Sequence, residues 1–404
     1  MAAPKASVTS DTSARLSLGV CCIGHMFSHI FQPVFYVTAL VLESELGLTH
    51  GSVIGLIVAG NVLYGLAAPI AGWLGDRWSA TGMLLLYFAG TGAGMMLTGA
   101  AATPFQIAAC LALTGLFASI FHPVGFSWLV RTAVNRGMAL GVVGVFGGLG
   151  PSAAALSAGI LVDALSWRAA FIVPGALVLA AGVVFYVLLA RGFIEERKED
   201  RSPDPPTSRG DRVRTILVLM VTVVCTGIIY HSTQAALPKV FSERIAGADG
   251  NGLLGLSALV AAVYFVAGGI QVLSGYLCDR YSLKAVYVLT LALQMPFLLL
   301  AASLGGPVLM VVVLIMVSGN VATFPPENSL IARYTPTQWR GVAYGMKFVF
   351  MFGFGGVGVM MEGVLYDLTG GFYWMFVLLA AIAVLACVAA LGLPSERKES
   401  TAAE

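Results

Sequence analysis

Long apolar runs separated by short polar breaks pattern the chain from one end to the other. The first covers Leu16 to Leu42 and is interrupted by His25, His29, Gln32 and Pro33. Further runs follow at 51–74, 81–100, 104–130, 138–162 and 168–190, and six more at 215–240, 252–277, 283–303, 305–332, 340–364 and 372–393. Runs of this length match the roughly 20 apolar residues that a helix needs to cross a bilayer, so the pattern predicts an all-α integral membrane protein with twelve transmembrane helices. The first run exceeds the roughly 7–15-residue core of a signal peptide and is read as a retained helix. Residues 191–214 break the pattern with Arg191, Glu195, Glu196, Arg197, Lys198, Glu199, Asp200 and Arg201, then Pro203, Pro205 and Pro206. Such a stretch solvates well and builds no core. It divides the chain into a tail at 1–15, a six-helix bundle at 16–190, a linker at 191–214, a second bundle at 215–393 and a tail at 394–404.

The two bundles read as copies of one another. Gly72 to Ser79 runs Gly-Trp-Leu-Gly-Asp-Arg-Trp-Ser, and Gly275 to Ser282 runs Gly-Tyr-Leu-Cys-Asp-Arg-Tyr-Ser. At nearly the same separation, Phe121-His122-Pro123 matches Phe324-Pro325-Pro326, Arg136-Gly137 matches Arg340-Gly341, and Asp163 matches Asp367. Self-similarity over half the chain indicates a duplication.

Composition agrees with the pattern: 58% of residues are hydrophobic, 10% are charged, and the mean hydropathy is +0.89. A net charge of +2 gives no footprint for nucleic acid. The placement of charge is more informative. With a cytoplasmic N-terminus, all of the 22 Lys and Arg residues fall on the cytoplasmic side except Arg168, Lys239, Arg244 and Lys347. The positive-inside rule therefore places both termini and the linker in the cytoplasm, with the lipid bilayer as the surrounding medium. Cys21, Cys22, Cys110, Cys225, Cys278 and Cys387 lie in apolar runs or at their cytoplasmic ends without CxxC spacing, which supports neither a disulfide framework nor a zinc knuckle. No nucleotide-binding loop is present, no nucleophile, base and orienting group stand together, and no cofactor motif appears. An enzyme and an ATP-driven pump are not expected.

Polar side chains inside membrane spans are costly, and so are default functional candidates. His25, His29, Gln32 and Tyr36 recur at i, i+4, i+7 and i+11, one stripe on one face of the first helix. The second half offers Tyr230, His231 and Gln234; His122 lies on the fourth helix, and Asn320, Glu327 and Asn328 on the tenth. Lys347 lies inside the eleventh span and needs a partner or water, and an ion pair with Glu327 would provide the partner. Imidazoles titrate near neutral pH, so His25, His122, Glu327 and Lys347 are candidates for proton coupling. Glycines at 72, 75 and 275 allow close approach of neighbouring helices, and Asp76, Arg77, Asp279 and Arg280 can exchange charge with helix ends of the other half. Gly141, Gly144, Gly147, Gly148 and Gly150-Pro151 predict a kinked fifth helix that packs backbone to backbone, with helices 5 and 8 or their neighbours in contact.

The Gly72–Ser79 stretch resembles the signature loop between helices 2 and 3 of the major facilitator superfamily, and Gly275–Ser282 its degenerate second copy. Trp167-Arg168-Ala169-Ala170-Phe171 is similar to the element that opens helix 6 in that family. More narrowly, Gly24-His25, Ala118-Ser119-Ile120-Phe121-His122-Pro123 and Arg136-Gly137-Met138-Ala139 resemble the fosmidomycin-resistance-type efflux carriers, although Val124 stands where those carriers continue with Glu. The resemblance implies two pseudo-symmetric six-helix bundles, a central cavity lined by helices 1, 4, 7 and 10, and a chain that works as a monomer. It also implies that Gly72, Asp76 and Arg77, with Asp279 and Arg280, gate the cytoplasmic side, Asp76 latching the outward-facing state. The expected function is proton-coupled efflux of a small polar or anionic organic solute or drug across the inner membrane. The alternatives are a proton-coupled importer and a transition-metal carrier using His25, His29 and His122.

Overall fold

The computed structural model describes residues 10–133, 136–194, 207–245, 252–336 and 339–394, and these contain helices and no strand. Eleven helices are long and apolar enough to cross a membrane, and a bent pair supplies a twelfth. We label them α1 (Asp11–Leu46), α2 (His50–Leu66 and Ala68–Arg77, bent by 41°), α3 (Ala80–Ala100), α4 (Pro104–Thr132), α5 (Met138–Ala164) and α6 (Trp167–Ala190) in the first half. The second half comprises α7 (Arg209–Arg244), α8 (Gly252–Arg280), α9 (Leu283–Ser303), α10 (Gly306–Tyr334), α11 (Val342–Thr369) and α12 (Tyr373–Leu391).

Local chemistry sets the ends. Ser79, Thr103, Ser166, Ser208 and Ser282 each accept a backbone N–H from the first turn of the helix that follows, satisfying donors with no partner inside that helix. The Ser208 cap, with Asp211 in the first turn, starts α7 at Arg209, inside the stretch expected as linker. The charged residues 195–206 of that stretch lie outside the described residues, as do 1–9 and 395–404. Gly47 and Gly370 end α1 and α11 at φ 62° and 68°, the left-handed conformation that glycine adopts without a Cβ clash.

Four helices are interrupted near mid-membrane. Pro33 cannot donate to the carbonyl of His29, and α1 turns there. Pro123 sits in a π-helical turn of α4 at Phe121–Gly125, α10 breaks just before Pro325 and Pro326, and α11 has a π-helical turn at Val349–Gly353. Irregular backbone at this depth is tolerated where protein or a cavity surrounds it.

The halves meet along two seams, α5 against α8 and α2 against α11. At the first, a Cβ on Gly148 would fall 3.0 Å from the Cα of Gly268, and Ser152 Oγ donates to the Ala261 carbonyl at 2.8 Å. At the second, a Cβ on Gly65 would fall 2.5 Å from the Gly353 nitrogen. Lipid offers no hydrophobic drive for helix association, so such close backbone contact supplies the packing attraction. Of the neighbours open to it, the fifth helix thus packs against the eighth.

The α5–α8 seam is tight toward one end of the molecule and parts toward the other, while α2 and α11 stay in contact as far as Gly345, where an added Cβ would fall 3.8 Å from the Pro69 Cα. At the end opposite the 191–214 linker, hereafter the far end, polar contacts join the halves. Asp163, which ends α5, accepts the N–H groups of Leu253 and Leu254 at 3.1 and 2.7 Å, at the start of α8. Asp367 of α11 accepts the N–H of Gly51 at 3.0 Å and the hydroxyl of Thr49 at 2.7 Å, at the start of α2. The duplicated aspartates therefore make the same contact on opposite sides of the molecule. On the linker side, a Cβ at Gly141, Gly144 or Gly275 would meet nothing within 4 Å. The α5–α8 seam has opened there.

Candidate functional site

The interruptions in α1 and α4 bring three imidazoles together. His25 and His122 are buried and His29 is partly buried, and one ligand atom from each lies within 4.8 Å of the others. His25 Nδ1 is 2.8 Å from the Val143 carbonyl of α5, which can only accept, so that nitrogen carries the hydrogen. His25 Nε2 is then an acceptor and lies 3.3 Å from His29 Nε2, which donates. Tyr64 of α2 spends its hydroxyl hydrogen on the Ser28 carbonyl at 2.9 Å. His122 Nδ1, 3.2 Å from the same hydroxyl, must therefore be its donor, which leaves Nε2 of His122 with a lone pair. Hydrogen bonding thus assigns the tautomer of each ring.

Aromatic rings wall the cluster. Phe121 stacks on His25 at 5.6 Å, Phe126 meets His25 edge-on at 5.0 Å, and Phe348 of α11 lies 4.5 Å from His122. Phe352, one helical turn after Phe348, is 5.7 Å from His122 and 5.2 Å from His231 of α7, and so stands between imidazoles of the two halves. Both ring nitrogens of His231 are buried without a hydrogen-bond partner in the protein. A buried polar group in that condition calls for a water molecule or a ligand atom.

The remaining candidates fall into separate groups. Gln32 donates to Asn61 Oδ1 at 2.8 Å, and Asn61 in turn donates to the Tyr36 hydroxyl at 3.1 Å, so these side chains bind one another across α1 and α2. In α7, Gln234 donates to Tyr230 at 3.1 Å. Asn320 donates to Gln294 of α9 at 3.1 Å and is 2% exposed, a link between helices. Glu327 and Lys347 form an ion pair at 2.6 Å between α10 and α11, as the need for a partner anticipates. Tyr287 donates to the other Glu327 oxygen at 2.9 Å, and Lys347 also donates to Asn328 Oδ1 at 2.6 Å.

The paired loops differ from expectation in their partners. Asp76 faces Arg131 of its own half at 3.4 Å rather than a helix end of the other half. Arg77 lies over Trp73, and Arg280 over Tyr276, while Asp279 is exposed. The physical reason is the packing of α2 on α4, which puts Arg131, at the end of α4, within reach of Asp76. Gly72 and Gly75 do permit close approach, since a Cβ would fall 3.1 Å from Pro123 and 2.9 Å from Val124 of α4. Gly275 has no such neighbour. The side chains of Arg136 and Arg340 lie outside the described residues.

One polar group was missed by the sequence reading. At the far end His50 of α2 bridges two carboxylates, Glu43 of α1 at 2.7 Å from Nδ1 and Glu362 of α11 at 2.9 Å from Nε2. Lys239 of α7 closes on the second Glu43 oxygen at 2.5 Å. The four residues join α1 and α2 to α7 and α11. Glu362 carried a usable signal, a carboxylate inside an apolar run. Glu43 and His50 lie just outside the runs as read, and Tyr64 and Asn61 look like ordinary residues of the second.

Comparison with known proteins gives one consistent result. The Major Facilitator Superfamily matches this chain over residues 21–358 and 250–404. The chain is 23% identical to the fosmidomycin resistance protein of Escherichia coli (strain K12) over 374 residues, 90% of each chain. It is 28% identical to the multidrug resistance protein MdtG of Yersinia enterocolitica over 331 residues, 80% of this chain and 78% of that one. Among solved structures it is similar to a bacterial homolog of the human lysosomal transporter Spinster in an inward-facing, unoccupied conformation, with a TM-score of 0.74, 14% identity and 94% and 98% of the two chains covered.

Proposed function

The chain belongs to the major facilitator superfamily, and on that premise we propose that it is a secondary transporter exporting a small polar or anionic organic solute or drug, by proton antiport, across the inner membrane. Both termini and the linker are then cytoplasmic, so the sealed far end faces outward and the parted end inward. The observation that carries the reading is the mid-membrane cluster of imidazoles and aromatic rings, placed where a seam that is closed outside begins to open inside. Alternating access needs a site at that depth, with one set of contacts broken as the other forms. Efflux is favoured by similarity to relatives whose names record drug resistance.

In this reading His25, His29, His122 and His231 contact the solute, with Phe348 and Phe352 as its apolar walls. Gln32, Tyr36, Tyr230, Gln234, Asn320 and Asn328 line or brace the path. Glu327 and Lys347 couple it to protons, because proton uptake by Glu327 releases Lys347 and so changes the contact between α10 and α11. Asp76, Arg77, Asp279 and Arg280 gate the inner side and exchange partners when it closes. The chain acts alone.

Proteoliposomes of stated orientation, with an imposed pH gradient and a panel of phosphonates, carboxylates and aromatic drugs, test the proposal. Gradient-dependent movement of one class, with protons moving the opposite way, is the expected result. Accumulation indifferent to the gradient, or solute and protons moving together, would overturn it.

A further inference from the structure

We propose that His25, His29 and His122 form a binding site for a divalent transition-metal ion of the zinc type, held by three imidazole nitrogens with a fourth coordination position left open. This goes beyond solute export and stands independently of it.

Spacing is the first argument. Zn–N bonds of about 2.0–2.1 Å in tetrahedral geometry put ligand nitrogens about 3.3–3.4 Å apart. His25 Nε2 and His29 Nε2 are already 3.3 Å apart, and one ring nitrogen from each of the three histidines lies within 4.8 Å of the others, so rotations of the rings close the set.

The second argument is what lies behind the rings. A metal-bound histidine characteristically donates its other N–H to a carbonyl, carboxylate or hydroxyl, which fixes the tautomer and aims the lone pair. His25 does so through Nδ1 to the Val143 carbonyl, and His122 through Nδ1 to the Tyr64 hydroxyl, itself anchored on the Ser28 carbonyl. Both leave Nε2 as the free electron pair. His29 frees its own Nε2 electron pair by carrying its hydrogen on Nδ1 once an ion replaces the hydrogen between Nε2 and His25. Only neutral imidazoles change here, so no proton need leave the site.

Donor type sets the class of ion. Three nitrogens and no carboxylate suit zinc, cobalt, nickel or copper and disfavour magnesium and calcium, which take oxygen ligands. Aromatic rings around the cluster limit water, so the ion's charge favours an anionic oxygen in the open position. Partly buried His29 is the route of entry.

The test is calorimetric titration of ZnCl2 into the purified, tag-cleaved full chain in detergent, repeated with CoCl2 and read by visible absorption. One ion per chain and the intense band of tetrahedral cobalt are expected. Affinity should fall more than tenfold in His29→Gln and in His122→Gln, and should be unchanged in Cys278→Ser. Tyr64→Phe keeps the ring and all three ligands but removes the hydroxyl that orients His122, and should weaken binding by about 10–100-fold. Monodisperse elution of each variant separates lost binding from lost folding. Failure of zinc and cobalt to bind, or binding indifferent to both histidine variants, would overturn the proposal.

Discussion

Lys347 and Glu327 lie 2.6 Å apart with side chains 5% and 1% exposed. Removing one member of a buried pair costs about 3–5 kcal/mol, because the other charge is stranded, whereas replacing both with neutral residues is often tolerated. Lys347→Met should therefore lower the thermal unfolding temperature in detergent, and Glu327→Gln with Lys347→Met should restore most of that loss. If the pair also couples protons, the double variant regains stability but not gradient-driven transport, while solute exchange across the membrane without a gradient persists. Recovery of gradient-driven transport by the double variant would reduce the pair to a structural role. Glu327 and Lys347, and their need of each other, were legible in the sequence because charge inside an apolar run is visible without coordinates and demands a partner. The tyrosines that hold Glu327 and His122 were not: Tyr287 and Tyr64 are aromatic residues within apolar runs, and only the approach of a second helix gives their hydroxyls a task.

Helices α5 and α8 cross where Gly148 meets Gly268, with 3.0 Å between an added Cβ and the opposing Cα. Nothing there can yield, since the neighbour is backbone. Gly148→Val should force the helices apart and destabilise the protein by about 1–3 kcal/mol, the usual cost of overpacking, as read by thermal unfolding. Gly144→Val, one turn away where the seam is open, should leave the unfolding temperature unchanged while slowing transport, because the linker side must close over that position in each cycle. Equal effects of the two substitutions on stability would contradict the open seam. The glycine run announced a packing face, but its length could not reveal where contact stops.

Asp163 and Asp367, related by the internal repeat, clamp the N-terminal turns of α8 and α2 across the two halves. With the His50 bridge they hold the far end shut. Each carboxylate at a helix N-terminus contributes about 0.3–1 kcal/mol, so their joint loss shifts an equilibrium between open and closed far ends by a few-fold to tenfold or more. Asp163→Ala with Asp367→Ala should raise the labelling rate of a cysteine introduced by Ser242→Cys, which lies in the far-end depression beside Asp163 and Lys239. Adding Glu362→Gln, which weakens the bridge to His50, should raise it further. A labelling rate equal to that of the parent would show that these contacts do not hold the far end.

Hydrophobic run length, basic-residue placement and the repeat were enough to specify a membrane-embedded chain of twelve helices in two related halves, because a bilayer imposes length and backbone satisfaction on every segment separately. Those constraints are local and can be read one run at a time. The convergence of His25, His29 and His122, the partner of Asp76, the position where the seam parts and the His50 bridge depend on how helices distant in the chain lie against one another. Their residues sit in different spans, and no periodicity within one span records which face of another it will meet.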